Sequence, residues 1–325
     1  MNQISTAPLR VADPFRRHAS EADAVHDPRW LATRAALERD FPHGCPRYRF
    51  FSALEAVLRT GLKATGLYGR GKRNALDLRL TEIEISFPHL PHAFDGYRIL
   101  QVSDIHFGGL DGLDDRALDL VGRVDADIAV LTGDYVGHGN GGNGGLEAFS
   151  AAMARLTGAI DVTEGTYAIL GNHDSIRMAD TFRDLGVALL GNRTVPLARG
   201  ADRVHLTGID DVYLFRTPLV DAALARKPRG FNILLAHSPH AAVEAADAGF
   251  DLYLTGHTHG GQICLPGGRP LAGKIGGPRR FNAGLWRQDR TVGYTTSGVG
   301  VSRVPVRFNT RGEIAVVTLR RRADG

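Results

Sequence analysis

Between residues 98 and 260, short apolar runs repeatedly end in aspartate, asparagine or histidine. RILQVSDIH, IAVLTGD, TYAILGNHD, NILLAH and DLYLTGHTH follow one another along the chain. Stretches of helical character near 114–124, 146–157, 176–185, 218–226 and 240–248 lie among them. Each run has the length of a buried strand and is too short for a core helix. LTEIEISF, from residue 80, alternates as a half-buried strand does, and VGYTTSG and EIAVVTLRR add strands near the C-terminus. Such alternation restricts the region to an α/β architecture of layered sheets. Ligands of open α/β sheets bind beyond the carboxyl ends of the strands, so five strands deliver polar groups to one edge.

Those groups are Asp104 and His106, then Asp134, then Asn172, His173 and Asp174, then His237, then His257 and His259. Carboxylate, imidazole and amide oxygen are ligands for manganese, iron or zinc. Each has a plainer reading alone. Asp134 after Gly133 reads as a turn aspartate, Asn172 as a helix cap and His237 as a buried histidine with a satisfied ring. Their coincidence at five strand ends favours a metal site.

The blocks Asp104-Ile105-His106, Gly133-Asp134, Gly171-Asn172-His173-Asp174, His237 and Gly256-His257-Thr258-His259 stand in the order found in the calcineurin-like metallophosphoesterase superfamily, which the chain resembles over roughly residues 80–320. HTHGGQICLP and SGVGVSRVPVRFNTRGEIAVVTL are similar to its bacterial YaeI/YkuE-like phosphodiesterase branch. The resemblance implies a four-layer α/β/β/α sandwich with an N-terminal helical extension. It implies two divalent ions, one held by Asp104, His106, Asp134 and His259, the other by Asp134, Asn172, His237 and His257. A hydroxide bridging them would attack phosphorus. His173 would stabilise developing charge or protonate the leaving oxygen, and Asp174 would orient His173.

Three segments are expected: a mobile polar stretch with a short helix over 1–45, a basic amphipathic helix and linker over 46–75, and the metallophosphoesterase domain over 76–325. DPRWLATRAALERDF reads as the short helix, with Asp27 as N-cap and Pro28 in the first helical position. A second helix is expected over 47–67, where Phe51, Leu54, Leu58 and Leu62 share a face. Residues 47–73 hold seven basic side chains against Glu55 alone; of a net charge of +4, this surplus of six leaves −2 for the rest. The domain therefore carries no broad basic track, and nucleic acid is not an expected partner. The basic helix has two readings, contact with an anionic membrane surface or packing on the domain. No apolar run is long enough to span a bilayer and no export signal is expected, unlike members of that branch. The expected location is the cytoplasm, with the inner face of the membrane as a peripheral site. Two distant cysteines, Cys45 and Cys264, exclude a disulfide framework and a thiolate metal site.

His138, in the glycine-rich loop after Asp134, is a candidate substrate contact, with a solvent-exposed side chain as the alternative. Arg303 and Arg307 have two readings, facing phosphate or, the favoured one, surface charges on a strand. The leading function is a phosphodiesterase, with a lipid-linked or nucleotide-linked phosphate ester, such as a UDP-diacylglucosamine, as the substrate class the resemblance suggests. The alternatives are a phosphomonoesterase or phosphoprotein phosphatase, and a non-catalytic metal-binding scaffold at the membrane. The complete ligand set together with His173 argues against the scaffold.

Overall fold

The structure, a computed structural model, describes residues 26–40, 48–137, 145–271 and 278–322. Helix α1 (Pro28–Asp40) starts as expected: Asp27 accepts the backbone N–H of Arg29 at 2.8 Å, and Pro28 occupies a position that needs no N–H donor. The expected second helix divides into α2 (Tyr48–Ala64) and α3 (Leu67–Ala75). Gly66 separates them in the left-handed region at φ 72°, which glycine reaches without a steric penalty.

Besides two small two-stranded ribbons, the strands of the main sheets are β1 (Arg79–Phe87), β2 (Arg98–Val102), β3 (Ile128–Leu131), β4 (Thr166–Ala168), β5 (Ala188–Leu189), β6 (Arg193–Arg199), β7 (Asp202–Gly208), β8 (Phe231–Leu235), β9 (Leu252–Thr255), β10 (Gly284–Gln288), β11 (Thr291–Thr295) and β12 (Glu313–Arg321). Among the described residues they form two six-stranded sheets, ordered β1-β12-β2-β3-β4-β5 and β10-β11-β9-β8-β7-β6. Strands β2 to β5 are parallel in register, as are β7, β8, β9 and β11. The connecting helices are α4 (Leu113–Val121), α5 (Gly145–Ala159), α6 (Ala179–Asp184), α7 (Pro218–Ala225) and α8 (Ala242–Asp247).

Period two sorts each strand between two cores. Leu100, Val102, Ala129 and Leu131 face α4 and α5, meeting Ala117, Val121, Phe149, Met153 and Leu156. Ile99, Ile128 and Val130 point the other way, toward Leu206, Ile233, Leu235, Leu252 and Leu254 of the second sheet. Leu234 and Tyr253 face outward onto Val220 of α7 and Ala245 of α8. Both faces of both sheets are thus covered, which is why the strands read as continuous apolar runs. The result is the α/β/β/α sandwich that the motifs imply.

Two findings concern the N-terminal extension. Helix α1 is docked on the domain: Trp30 is 2% exposed and Arg34 has no exposure. A Cβ at Gly191 would lie 2.2 Å from the Trp30 ring, so that position has room only for glycine. Helix α2 behaves differently, leaving Leu54 and Val57 55% and 71% exposed. The Phe51 side chain, the Cys45 position and most of residues 1–45 lie outside the described residues. Among the described residues no helix is long and apolar enough to cross a membrane.

Candidate metal centre

The five polar-ended strands deliver their side chains to one rim, where the carboxyl edges of the two sheets meet. β2 leads to Asp104 and His106, β3 to Asp134, β4 to Asn172 and His173, β8 to His237, and β9 to His257 and His259. Cross-sheet hydrogen bonds fasten that rim. His257 N–H donates to both Asp104 oxygens at 3.0 Å, and His237 Nδ1 donates to the Thr132 carbonyl at 2.8 Å. The chain must turn sharply to aim these groups inward. Asp104, His106, Asp134, His257 and His259 all sit at left-handed φ, between 46° and 70°. Non-glycine residues there carry backbone strain of roughly 1–3 kcal/mol each, and such strain concentrates at functional sites.

Two sets of donor atoms converge. Asp104, His106 and His259 form one and Asp134, His237 and His257 the other, with the ligand atoms of each set within 4.8 Å of one another. In the first, His106 Nε2 lies 3.2 Å from His259 Nε2, and Asp104 Oδ1 lies 3.5 Å from His259 Nε2. In the second, Asp134 Oδ2 lies 3.2 Å from His237 Nε2, and Asn172 Oδ1 lies 2.9 Å from His257 Nδ1. Asp134 Oδ2 is also 3.9 Å from His106 Nε2, so one carboxylate reaches both sets.

The donor chemistry fits cations. Carbonyls fix two tautomers: His106 Nδ1 donates to Val136 at 2.9 Å and His237 Nδ1 to Thr132 at 2.8 Å. Both Nε2 atoms face other nitrogen and carboxylate donors. Burial opposes a proton on His237, yet the Asp134 carboxylate raises it well above the usual imidazole range, so an ion bound there would take the place of that proton. Burial holds His257 and His259 well below the usual imidazole range, so both rings are neutral at pH 7 and available to a metal. Burial pushes Asp134 upward, yet the imidazoles of His237 and His173 outweigh it and keep its carboxyl well below the usual carboxylate range. Burial raises Asp104, which His237 opposes. His173 is lowered to about 4 by burial, against the pull of Asp134, whose Oδ2 lies 3.9 Å from its Nε2.

Glycines set how closely these loops approach. A Cβ on Gly171 would stand 2.2 Å from Asp134 Oδ1, and one on Gly256 would stand 2.2 Å from Asp104 Oδ2. The glycines of the G-N-H-D and G-H-x-H blocks are therefore steric requirements of the carboxylates they face.

Asp174 has partners other than the expected imidazole. Its Oδ2 accepts the N–H groups of Gly171 and Asp134 at 2.7 Å each, and its Oδ1 accepts that of Tyr135 at 2.9 Å. Both oxygens thus join the turn after β4 to the turn after β3, and the carboxylate braces backbone. Burial raises it to about 6, and the charge of Asp134 adds to that.

Arg307 also departs from expectation. It is fully buried, and its guanidinium donates to the carbonyls of His259 at 3.0 Å, Ser297 at 2.8 Å and Gly300 at 2.7 Å. Arg303 stands close enough to His173 to lower its proton affinity further. His138 lies outside the described residues. Ser103 was missed by the motif pattern: its hydroxyl donates to Asp104 Oδ2 at 2.6 Å. So was Tyr213, whose ring centroid is 4.8 Å from that of His257. Neither has a sequence signal beyond proximity in the fold.

Comparison with known sequences agrees with this geometry. The sequence profile of the calcineurin-like phosphoesterase family matches residues 97–261. The chain belongs to that family and is a metal-dependent phosphoric ester hydrolase. It is 32% identical to the uncharacterized metallophosphoesterase YkuE of Bacillus subtilis, over 84% of this chain and 97% of that protein. It is 28% identical to YkoQ of the same organism, over 75% of this chain and 92% of that one. It is 30% identical to the phosphodiesterase YaeI of Escherichia coli, over 69% of this chain and 82% of that one.

Replacing Gly171 by alanine forces its new Cβ against Asp134. Gly171→Ala is expected to stay folded and to lose about 10–100-fold in affinity for added Mn²⁺, the range for perturbed support of metal ligands. Calorimetric titration of metal-stripped protein measures this, and unchanged affinity would contradict the close-approach account.

Proposed function

We propose that the chain is a dinuclear metal-dependent phosphodiesterase. The observation that carries this reading is the position of Asp134, whose carboxylate lies between the two donor sets. Asp104, His106, Asp134 and His259 would hold one ion, and Asp134, Asn172, His237 and His257 the other. Manganese, iron and zinc all suit these donors. When bound, two divalent ions supply Lewis acidity toward phosphoryl oxygens and lower the pKa of a coordinated water toward neutrality. The chain's own residues position and protect that chemistry. Left-handed turns aim the donors, carbonyls hold the histidine tautomers, and the buried rim excludes bulk water. His173 keeps its side chain 12% exposed, so an ester arriving from solvent would be able to reach it. A phosphate anion beside it acts as Asp134 does and raises its proton affinity, which favours donation to the leaving oxygen. The name of the Escherichia coli relative supports a diester over a monoester. A phosphomonoesterase is the alternative, and the full set of donors with His173 weighs against a non-catalytic scaffold.

A second reading places the enzyme at an anionic membrane surface, where lipid-linked or nucleotide-linked esters are presented. It is supported by α2, whose Leu54 and Val57 face solvent while Arg59 and Lys63 share the helix. Arg59 Nη2 donates to the Arg303 carbonyl at 3.4 Å, so the helix abuts the segment next to His173.

Two outcomes follow. His173→Ala should keep both ions and lose turnover of alkyl phosphodiesters by about 10²–10⁴-fold, with a much smaller loss on nitrophenyl diesters, whose leaving group needs no proton. Equal losses on both would make His173 a charge stabiliser, and loss of an ion would make it a ligand. For the membrane reading, the protein should sediment with phosphatidylglycerol vesicles at low salt and be released at high salt. Absence from both anionic and neutral vesicles at every salt concentration would refute that reading.

A further inference from the structure

Helix α1 lies outside residues 97–261, where the family's sequence profile matches, yet its inner face ends against the turn that carries Asn172 and His173. Arg34 has no exposed surface, and its guanidinium is engaged on every side. Nη2 donates to the carbonyls of Gly171 at 2.9 Å and Asp174 at 2.8 Å. Nε donates to Glu38 Oε1 at 2.9 Å, and Nη1 donates to Asp210. The ring of Phe215 lies 3.5 Å from the guanidinium carbon. One helical turn further on, Glu38 accepts the Ser175 hydroxyl at 2.8 Å and the Ile176 N–H at 2.7 Å. Trp30 Nε1 donates to the other oxygen of Asp210, Oδ2, at 2.7 Å, while Asp210 Oδ1, the oxygen that meets Arg34, also accepts the Asp211 N–H at 2.9 Å.

We infer that α1 positions the metal site, with Arg34 and Glu38 clamping the turn over residues 171–176 from behind so that Asn172 and His173 meet their partners. The inference rests on the reading of Asn172 as a ligand of the second ion. The turn is held from two sides. Asp174 and Asp134 grip it from within the site, where His173 N–H donates to Asp134 Oδ1 at 2.9 Å. Arg34 and Glu38 grip it from the outer side. Asn172 lies between these anchors and places its Oδ1 2.9 Å from His257 Nδ1. Released from α1, the turn keeps its inner bonds and gains freedom to swing Asn172 away. The donor pattern requires arginine: two carbonyls and two carboxylates are met at once by a planar fork, which a single ammonium cannot span. A bare buried guanidinium would be unfavourable, and this one is matched by Asp210, Glu38 and two carbonyls. Arg34 is a positioning residue, since its bonds to the turn go to backbone carbonyls and not to the donor atoms.

Arg34→Lys tests this. It keeps the charge opposite Asp210 and loses the fork. In the full-length chain, calorimetric Mn²⁺ titration should show the second ion weakened by about 10–100-fold, with the first unchanged and kcat for an alkyl phosphodiester reduced to match. Trp30→Phe is the control, because it removes a bond to Asp210 and leaves the turn's own contacts intact. It should lower the Tm while keeping the affinity for the second ion. Arg34→Met combined with Asp210→Asn removes the buried pair and leaves the partly exposed Glu38 its bonds to Ser175 and Ile176, and it should reproduce the lysine result if the lysine variant is poorly folded. Second-ion affinity unchanged in both Arg34 variants would overturn the clamp, as would equal weakening of both ions. Hydrogen exchange on metal-free protein separates the clamp from the dinuclear reading. Amides 172–176 should exchange faster by roughly tenfold or more in the Arg34 variants than in Trp30→Phe. A wild type that binds one ion overturns the dinuclear reading, and the exchange result then decides the clamp: faster exchange upholds it and unchanged exchange overturns it.

Discussion

Asp134 stands beyond the end of a central strand with its carboxylate buried and three imidazoles at 3.2 to 3.9 Å. A buried carboxylate is costly unless it is paired, and here the imidazoles keep it ionised. Its backbone is tied on both sides: the N–H donates to Asp174, and the carbonyl accepts the His106 N–H at 3.1 Å. If this residue moves, the second donor set loses a member and the first loses a carboxylate that stands 3.9 Å from His106. The two sheets must therefore meet at a fixed distance along their carboxyl edges, and the inter-sheet core of Ile99, Val130, Leu235 and Leu254 sets that distance.

Around this point the fold spends its irregular backbone. Five donor residues occupy left-handed turns, and Gly171 and Gly256 leave room for the carboxylates opposite them. Buried hydrogen bonds hold the strained turns. Arg307 supplies three carbonyl contacts behind His259, and Arg34 supplies two behind Asn172 and His173. Two buried arginines thus support opposite sides of one rim.

Much of this was legible in the sequence because the signals are local. Alternating apolar runs and helical stretches gave the strand and helix order, and Asp27 with Pro28 gave the start of α1. Donor residues could be named because each follows a strand and its chemistry is written in its type. What could not be read was long-range. Asp174 looks like an orienter of its neighbour, but it bonds to amides near residue 134, 40 positions away. Arg307 reads as a surface charge, and nothing in the sequence marks Arg34, until the packing shows which carbonyls they reach. The extension reads as a separate segment because the motif blocks all lie beyond residue 80, whereas Trp30 and Arg34 are buried in the domain. Gly66 lies inside the helix expected over 47–67, and the structure shows that it separates two helices there.

The central claim is that one carboxylate serves two ions. Its most direct measurement is the metal content of purified wild type and Asp134→Asn after reconstitution with Mn²⁺, with phosphodiester hydrolysis recorded on the same samples. Two ions per chain in the wild type, against loss of both ions or nearly all activity in the variant, is the result expected. Two ions and full activity in Asp134→Asn would contradict the account.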